Sequence, residues 1–148
     1  MLENLCRGKR IDTGEMIVGY YIRATLHWHS KGCHEDWIVC SAIQNGGRLN
    51  ICKRAAVDPE TVGRCTGITD KNGKLIFAGD IIRVATFGSD MDAFTTEVCF
   101  GPRSGVQGFH LKNGRSMFYF GQSDMSKMDD AEVIGNIHDN PELREVRN

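Results

Sequence analysis

A small, mostly antiparallel β protein is predicted, β-rich α+β at most, from three features of the 148 residues. Asn-Gly steps at Asn45-Gly46-Gly47, Asn72-Gly73 and Asn113-Gly114 lie between apolar or aromatic runs. Asn and Gly both tolerate positive φ, which two-residue hairpin turns require. Short alternating runs recur, whereas no long segment carries apolar residues at helical spacing. Only 3 Pro interrupt the chain against 17 Gly, so strands can form freely between turns. The expected form is a small antiparallel barrel, closed or nearly closed, with short helices only.

Residues 16–22 are a compact apolar run, and 23–29 continue it with partial alternation, Leu26 and Trp28 facing inward. Residues 30–36 read as a polar loop, and 37–43 as the next strand. Residues 48–53 alternate strictly, with Leu49 and Ile51 on one face. Residues 57–61 read as a turn, since Pro59 fixes its own φ and biases Asp58 to extended geometry. Residues 61–82 read as strand, turn, strand, turn, strand. Thr66, Gly67 and Asp70 lead into a hairpin at Asn72 and Gly73. At the second turn Gly79 takes positive φ, and Asp80 accepts backbone N–H groups before Ile81 and Ile82 enter the core. Residues 87–93 are a polar linker; 97–100 and 108–111 are strands before the third hairpin, and 116–120 follow it. Residues 123–130 are polar, and 131–138, with Gly135 and Asn136, form a last strand. Pro141 opens a single helical turn capped by Asn140. This divides the chain into an N-terminal β module, 1–56, and a C-terminal barrel module, 57–148, or leaves one continuous domain over 1–148.

Composition excludes several classes. With 41% hydrophobic and 25% charged residues the chain is globular, not disordered. No run of about 18 apolar residues offers a membrane-spanning helix. The first ten residues lack the apolar stretch of a signal peptide, so a cytoplasmic setting is expected. The 6 cysteines (Cys6, Cys33, Cys40, Cys52, Cys65 and Cys99) include no Cys-x-x-Cys pair and read as free, mostly buried thiols. The net charge of -1 offers no global attraction for nucleic acid. Residues 1–57 carry 8 Lys/Arg against 5 Asp/Glu, and residues 58–148 carry 10 against 14, a mild asymmetry.

The sharpest chemical constellation is His27-x-His29 followed by Cys33-His34. Two imidazoles two apart on a strand share a face, and Cys33 or His34 across a short turn would complete a tetrahedral zinc site. The simpler reading puts His27 and His29 on the solvent face of a strand whose Leu26 and Trp28 face the core. The paired Cys-x-x-Cys or His-x₃-His spacing of structural zinc sites is missing. The simpler reading is preferred, and no metal or cofactor is assigned. Asp70-Lys71-Asn72-Gly73-Lys74 lacks the phosphate-loop layout and reads as a hairpin. Asp129, Asp130 and Glu132 read as a solvated loop rather than a cation site. Cys65 and Cys99 lie in apolar strands, where thiols are usually inert. Arg7-Gly8-Lys9-Arg10 and Lys53-Arg54, with Tyr20, Tyr21 and Trp28, match the phosphate contacts and stacking rings of a barrel-type nucleic-acid binder. Near-neutral charge and an ordinary core are the competing account.

Three blocks carry a family resemblance. The first is Arg7-Gly8-Lys9-Arg10-Ile11-Asp12-Thr13-Gly14-Glu15 with Val18-Gly19-Tyr20. The second runs from Val57-Asp58-Pro59-Glu60-Thr61-Val62-Gly63 through Thr66-Gly67 and Asp70-Lys71-Asn72-Gly73-Lys74 to Gly79-Asp80-Ile81. The third is Glu132-Val133-Ile134-Gly135-Asn136-Ile137 with Asn140-Pro141-Glu142-Leu143. In this order, over almost the whole chain, they resemble the YopX family of phage and prophage proteins. The chain departs from the family pattern at Cys6 and Cys65, where an aromatic is usual, at Phe77-Ala78 in place of Tyr-Glu, and at Met16, often Trp. The resemblance implies a phage or prophage origin, a bacterial host cytoplasm and self-association. It implies no catalytic residue. By analogy, the Gly79-Asp80-Ile81-Ile82 step after a hairpin suggests an SH3-like barrel in the second half. The expected function is a non-enzymatic accessory protein that binds itself or a phage or host macromolecule, with no membrane partner. A nucleic-acid-binding barrel is the first alternative and a metal-dependent enzyme the second. The less patterned stretches 30–36 and 86–94 are the expected contact surface.

Overall fold

The computed structural model describes residues 4–26, 33–45, 48–86, 89–103, 106–113 and 127–145. The strands among them are β1 (Leu5–Arg10), β2 (Met16–Leu26), β3 (Cys33–Asn45), β4 (Arg48–Thr69), β5 (Leu75–Phe77), β6 (Asp80–Thr86), β7 (Ser89–Arg103), β8 (Val106–Leu111) and β9 (Ala131–Asn136). The helical content of these residues is one short 3-10 turn, Pro141–Glu145. The fold is mostly β, as its turn chemistry and short alternating runs predict. The chain divides into two compact units, Met1–Arg64 and Cys65–Asn148, and β4 contributes to both.

In the first unit β1 pairs with β2, β2 with β3 and β3 with β4, all antiparallel, and β4 returns to β1. The four strands therefore close into a ring. Cys6, Ile38, Ala55 and Val57 are buried in its small core. So small a ring has little room inside, and glycine supplies the space. A Cβ on Gly8 would meet Ile38 Cδ1 at 3.1 Å, and one on Gly19 would meet the Val39 carbonyl oxygen at 2.4 Å. Such a contact is closer than packed atoms tolerate.

Residues 57–61, expected as a turn, lie inside β4, where they belong to a wide bulge. Arg7 pairs with Gly63 but Lys9 pairs with Asp58, so residues 59–62 of β4 loop away from β1. Local side chains hold this bulge. Asp58 Oδ1 accepts the Glu60 N–H (3.0 Å), and the Thr61 hydroxyl donates to the Asp58 carbonyl (2.7 Å) while accepting the Lys9 N–H (2.8 Å). Pro59, which has no N–H to offer a ladder, fits such a position.

Two stretches expected as loop are strand. Within 30–36, residues 33–36 open β3 and pair with β2 through Leu26↔Cys33, Thr25↔His34, Ala24↔Glu35 and Arg23↔Asp36. Polar residues form a strand there because Tyr21 and Arg23 both bond to the Asp36 carboxylate. Within 87–93, β7 starts at Ser89 and pairs back to Thr86. Gly46 and Gly47 lie outside the described residues, though Asn45 pairs with Arg48 across them. His27, Trp28, His29, Gly114 and residues 116–120 also lie outside them.

In the second unit the sheet order is β8–β7–β6–β9, and the end of β4 pairs with β5. Ile68, Ile76, Ile82, Val84, Val98, Leu111, Met128 and Ala131 form its core. The first hairpin there is a three-residue loop rather than a two-residue one. Asp70 N–H bonds to the Lys74 carbonyl and Gly73 N–H to the Asp70 carbonyl, both at 2.9 Å, with Gly73 at φ 81°. That is a type I turn completed by a left-handed glycine. Asp70 is buried, and its carboxylate accepts the N–H groups of Asn72, Lys74 and Val133 at 2.9, 2.9 and 3.0 Å. It thereby ties the hairpin to β9. Thr66 donates its hydroxyl to the Ile76 carbonyl at 2.8 Å, and Gly67 adopts φ 77°. At the next turn Gly79 has φ 90°, and buried Asp80 accepts the Phe77 N–H at 2.8 Å. Beyond β9, the Asn140 side chain accepts the Asn136 N–H at 3.3 Å, and Pro141 opens the 3-10 turn. A Cβ on Gly135 would lie 2.5 Å from Asn140 Oδ1, so any larger residue would displace the side chain that makes this closure.

Candidate functional site

Side chains alternate between the faces of a strand, and cross-strand partners share one. On β1 and β2, Cys6 pairs with Gly19 and points into the first unit's ring. Leu5 opposite Tyr20, Arg7 opposite Val18 and Lys9 opposite Met16 therefore point outward. The outward set continues with Ile22 opposite Trp37, Tyr20 opposite Val39 and Val39 opposite Arg54. Val18, Tyr20 and Ile22 are 40%, 50% and 40% exposed, an apolar stripe on successive outward positions of one strand. Isolated exposed apolar residues are ordinary, whereas a contiguous stripe rimmed by charge is a candidate contact surface.

The rim of this face is charged. Arg54 stacks over the Trp37 ring at 4.3 Å, and the indole N–H donates to Glu35 at 3.1 Å. Arg7 and Lys9 flank the stripe on the β1 side, with Asp58 opposite Lys9. On the inward face of β2, Tyr21 donates its hydroxyl to Asp36, and Arg23 Nε donates to the same carboxylate oxygen at 2.8 Å. These bonds, Arg23 first and Tyr21 second, hold the Asp36 carboxyl below its ordinary value. Burial, then the bond to Asp36, pushes the Tyr21 phenol up.

A pocket of about 440 Å³ opens at the start of β1. Asn4 and Cys6 come from the beginning of the chain, Tyr20 and Tyr21 from β2, and Pro59, Val62 and Arg64 from the bulge of β4 and the residues after it. The bulge makes the pocket, because the residues that leave the ladder become its wall. The lining is two phenol rings, apolar side chains, one amide and the exposed guanidinium of Arg64. It is equipped to hold a planar group beside a negative charge.

The four residues of the proposed zinc constellation fall as follows. His27 and His29 lie outside the described residues, Cys33 is the first residue of β3, and His34 is exposed opposite Thr25. Among the described residues no group of three or more His, Cys, Asp or Glu is placed to hold a metal. Of the motif residues, Asp58, Pro59, Thr66, Gly67, Asp70, Asn72, Gly73, Gly79, Asp80, Gly135, Asn136 and Pro141 all lie in turns, bulges or strand ends. Asp58 and Pro59 alone come near the pocket, through the bulge. The sequence singles out Tyr20 only as a candidate stacking ring and Val18 and Ile22 not at all: in a run that is apolar throughout, alternation shows no outward face.

Strand register also brings Cys99 opposite His110, a pair their separation in the sequence hides. Nδ1 of His110 is buried without a hydrogen-bond partner. Glu97, on the same face two residues before Cys99, is held by Lys112 at 3.0 Å.

The family model described as YopX protein matches residues 15–145. The chain belongs to the YopX family. Among solved structures it is similar to protein EF1440 from Enterococcus faecalis, at 25% identity and a TM-score of 0.57. That likeness covers 95% of this chain and 96% of the other. No curated protein matches. No helix among the described residues of this YopX-family chain is long and apolar enough to cross a membrane.

Proposed function

We propose that this YopX-family protein is a non-enzymatic phage or prophage accessory protein that acts by binding, through the outer face of its first unit. The observation that carries this is the Val18, Tyr20 and Ile22 stripe, 40–50% exposed on a ring of strands. Along the stripe β2 is paired with β1, β3 or both, so the contact it offers is made chiefly by side chains. A second copy of the chain, or a phage or host macromolecule in a bacterial cytoplasm, is the partner class.

Two variants test the face. Val18→Lys and Ile22→Lys each place a charge in the stripe and are expected to fold as wild type, since exposed substitutions change stability little. In sedimentation velocity from low to high micromolar concentration, self-assembly appears as a rising sedimentation coefficient that both variants flatten. A wild type that stays monomeric throughout removes self-assembly. Variants that leave every measured association unchanged remove the face itself.

A further inference from the structure

We propose that the pocket lined by Tyr20, Tyr21 and Arg64 receives one nucleobase of a single-stranded nucleic acid, the rest of which runs across the outer face of the first unit. This rests on the reading of that face as the contact surface, and it names the partner. The volume, about 440 Å³, lies within the range of small-ligand pockets, roughly 300–1,000 Å³. Tyr20 is half exposed and offers a ring on which any base can stack, whatever its identity. Tyr21 is already fixed through its hydroxyl to Asp36, which Arg23 also holds, so this wall needs no ordering when a ligand arrives. Asn4 supplies an amide for the polar edge of a base. Arg64 is the cation a neighbouring phosphate requires.

Beyond the pocket the same chemistry continues. Arg7 lies beside Val18, and Arg54, stacked on Trp37, lies across β3 from Tyr20, so cations and rings alternate over the face. Glu35 and Asp58 sit at its ends, the former engaged by the Trp37 indole and the latter opposite Lys9. A second copy fits less well, because the face carries Arg7, Lys9 and Arg54 against Glu35 and Asp58, an excess of cations that a second copy of the same face shares. A duplex also fits less well, since reading one calls for a helix or β-ribbon inserted into a groove. With Arg7, Arg54 and Arg64 each meeting one phosphate, the slope of log affinity against log salt is about −2 for a single strand.

The test is fluorescence anisotropy with a labelled oligothymidylate, a mixed-sequence strand and the matching duplex, at several salt concentrations. Wild type is expected to bind both single strands with a slope near −2 and to prefer them to the duplex. Tyr20→Ala is expected to weaken binding at least fivefold, about what losing one stacked base costs, with the slope unchanged, while Tyr20→Phe keeps the affinity. Arg64→Gln is expected to lower the slope by about 0.7, one phosphate contact. Thymidine monophosphate in excess should displace the strand if the pocket holds a base. No anisotropy change at the lowest salt, equal binding of the duplex, or indifference to both Tyr20→Ala and Arg64→Gln overturns the proposal. Mononucleotide binding without strand binding also overturns it, leaving a small-molecule site. If no strand binds but Val18→Lys abolishes self-association, the partner is a second copy: this proposal fails and the binding face stands.

Discussion

Gly19 shows at the scale of one residue how little space the ring leaves. An added Cβ would lie 2.4 Å from the Val39 carbonyl oxygen and 2.8 Å from Ile38 Cγ2, so strand β2 must shift. Gly19→Ala is expected to lower stability by about 1–3 kcal/mol in a urea melt. Gly101→Ala is its control: nothing lies within 4 Å of that Cβ, and a change under about 0.5 kcal/mol is expected. Asp70 is the counterpart in the second unit. Its carboxylate is the acceptor for three N–H groups, and Asp70→Ala leaves them without it at a buried position. A loss of about 3 kcal/mol or more is expected by the same melt, and a loss below 1 kcal/mol would show that water replaces the carboxylate. Neither role is readable along the chain. Gly19 stands in an apolar run with no turn signal, and its neighbour Val39 arrives only through β2–β3 register. Asp70 precedes a recognisable turn, but Val133 lies 63 residues away. Tyr20 was legible as an aromatic and illegible as exposed, because its flanking residues are apolar on both faces of the strand.

At the scale of elements, side chains convert an expected loop into the start of β3. Residues 33–36 look like loop by composition, yet Tyr21 and Arg23 on β2 fasten Asp36 and carry the pairing out to Leu26 and Cys33. The Arg23 guanidinium, then the Tyr21 hydroxyl, holds the Asp36 carboxyl below its ordinary value of 3.8. A carboxylate whose value is depressed by folding stabilises the fold fully above the unfolded value, and that stabilisation is lost as pH falls through the folded value. Asp36→Asn should therefore melt lower than wild type at neutral pH, with the gap closing as pH drops below about 4. Arg23 is half exposed, so solvent screens the pair and the effect is modest. Calorimetric melts from pH 7 to pH 2 check this; a gap that stays constant would mean the carboxylate charge contributes nothing. The bulge in β4 carries the same lesson. Pro59 and Asp58 announce a turn, and the local bonds of a turn are there, but the ladder resumes on both sides. The sequence shows where a chain bends more readily than whether it leaves the sheet. The pocket, formed by that bulge, was hidden for the same reason.

For the whole molecule, turn chemistry and the absence of helical spacing made the mostly β character legible, but strand closure was not. The ring of the first unit depends on β1 meeting β4, with Cys6 opposite Arg64, and no local pattern marks that partnership. Such a contact has a kinetic consequence. Bringing distant residues together costs loop-closure entropy before any pairing offsets it, so non-local β structures fold in milliseconds to seconds. The β1–β2 and β2–β3 hairpins are local by comparison, joining Lys9 to Met16 and Leu26 to Cys33. Pulse-labelling hydrogen exchange read by mass spectrometry should therefore protect amides paired within these hairpins first. The Lys9 N–H, which bonds to the Thr61 hydroxyl across the β1–β4 seam, should be protected last. Gly19→Ala strains the β2–β3 contact at Ile38 and Val39 and should therefore slow the first phase. Protection of the Lys9 N–H in the same phase as the hairpins, or faster than a millisecond, would show that the ring forms as one unit and that closure is not the late step.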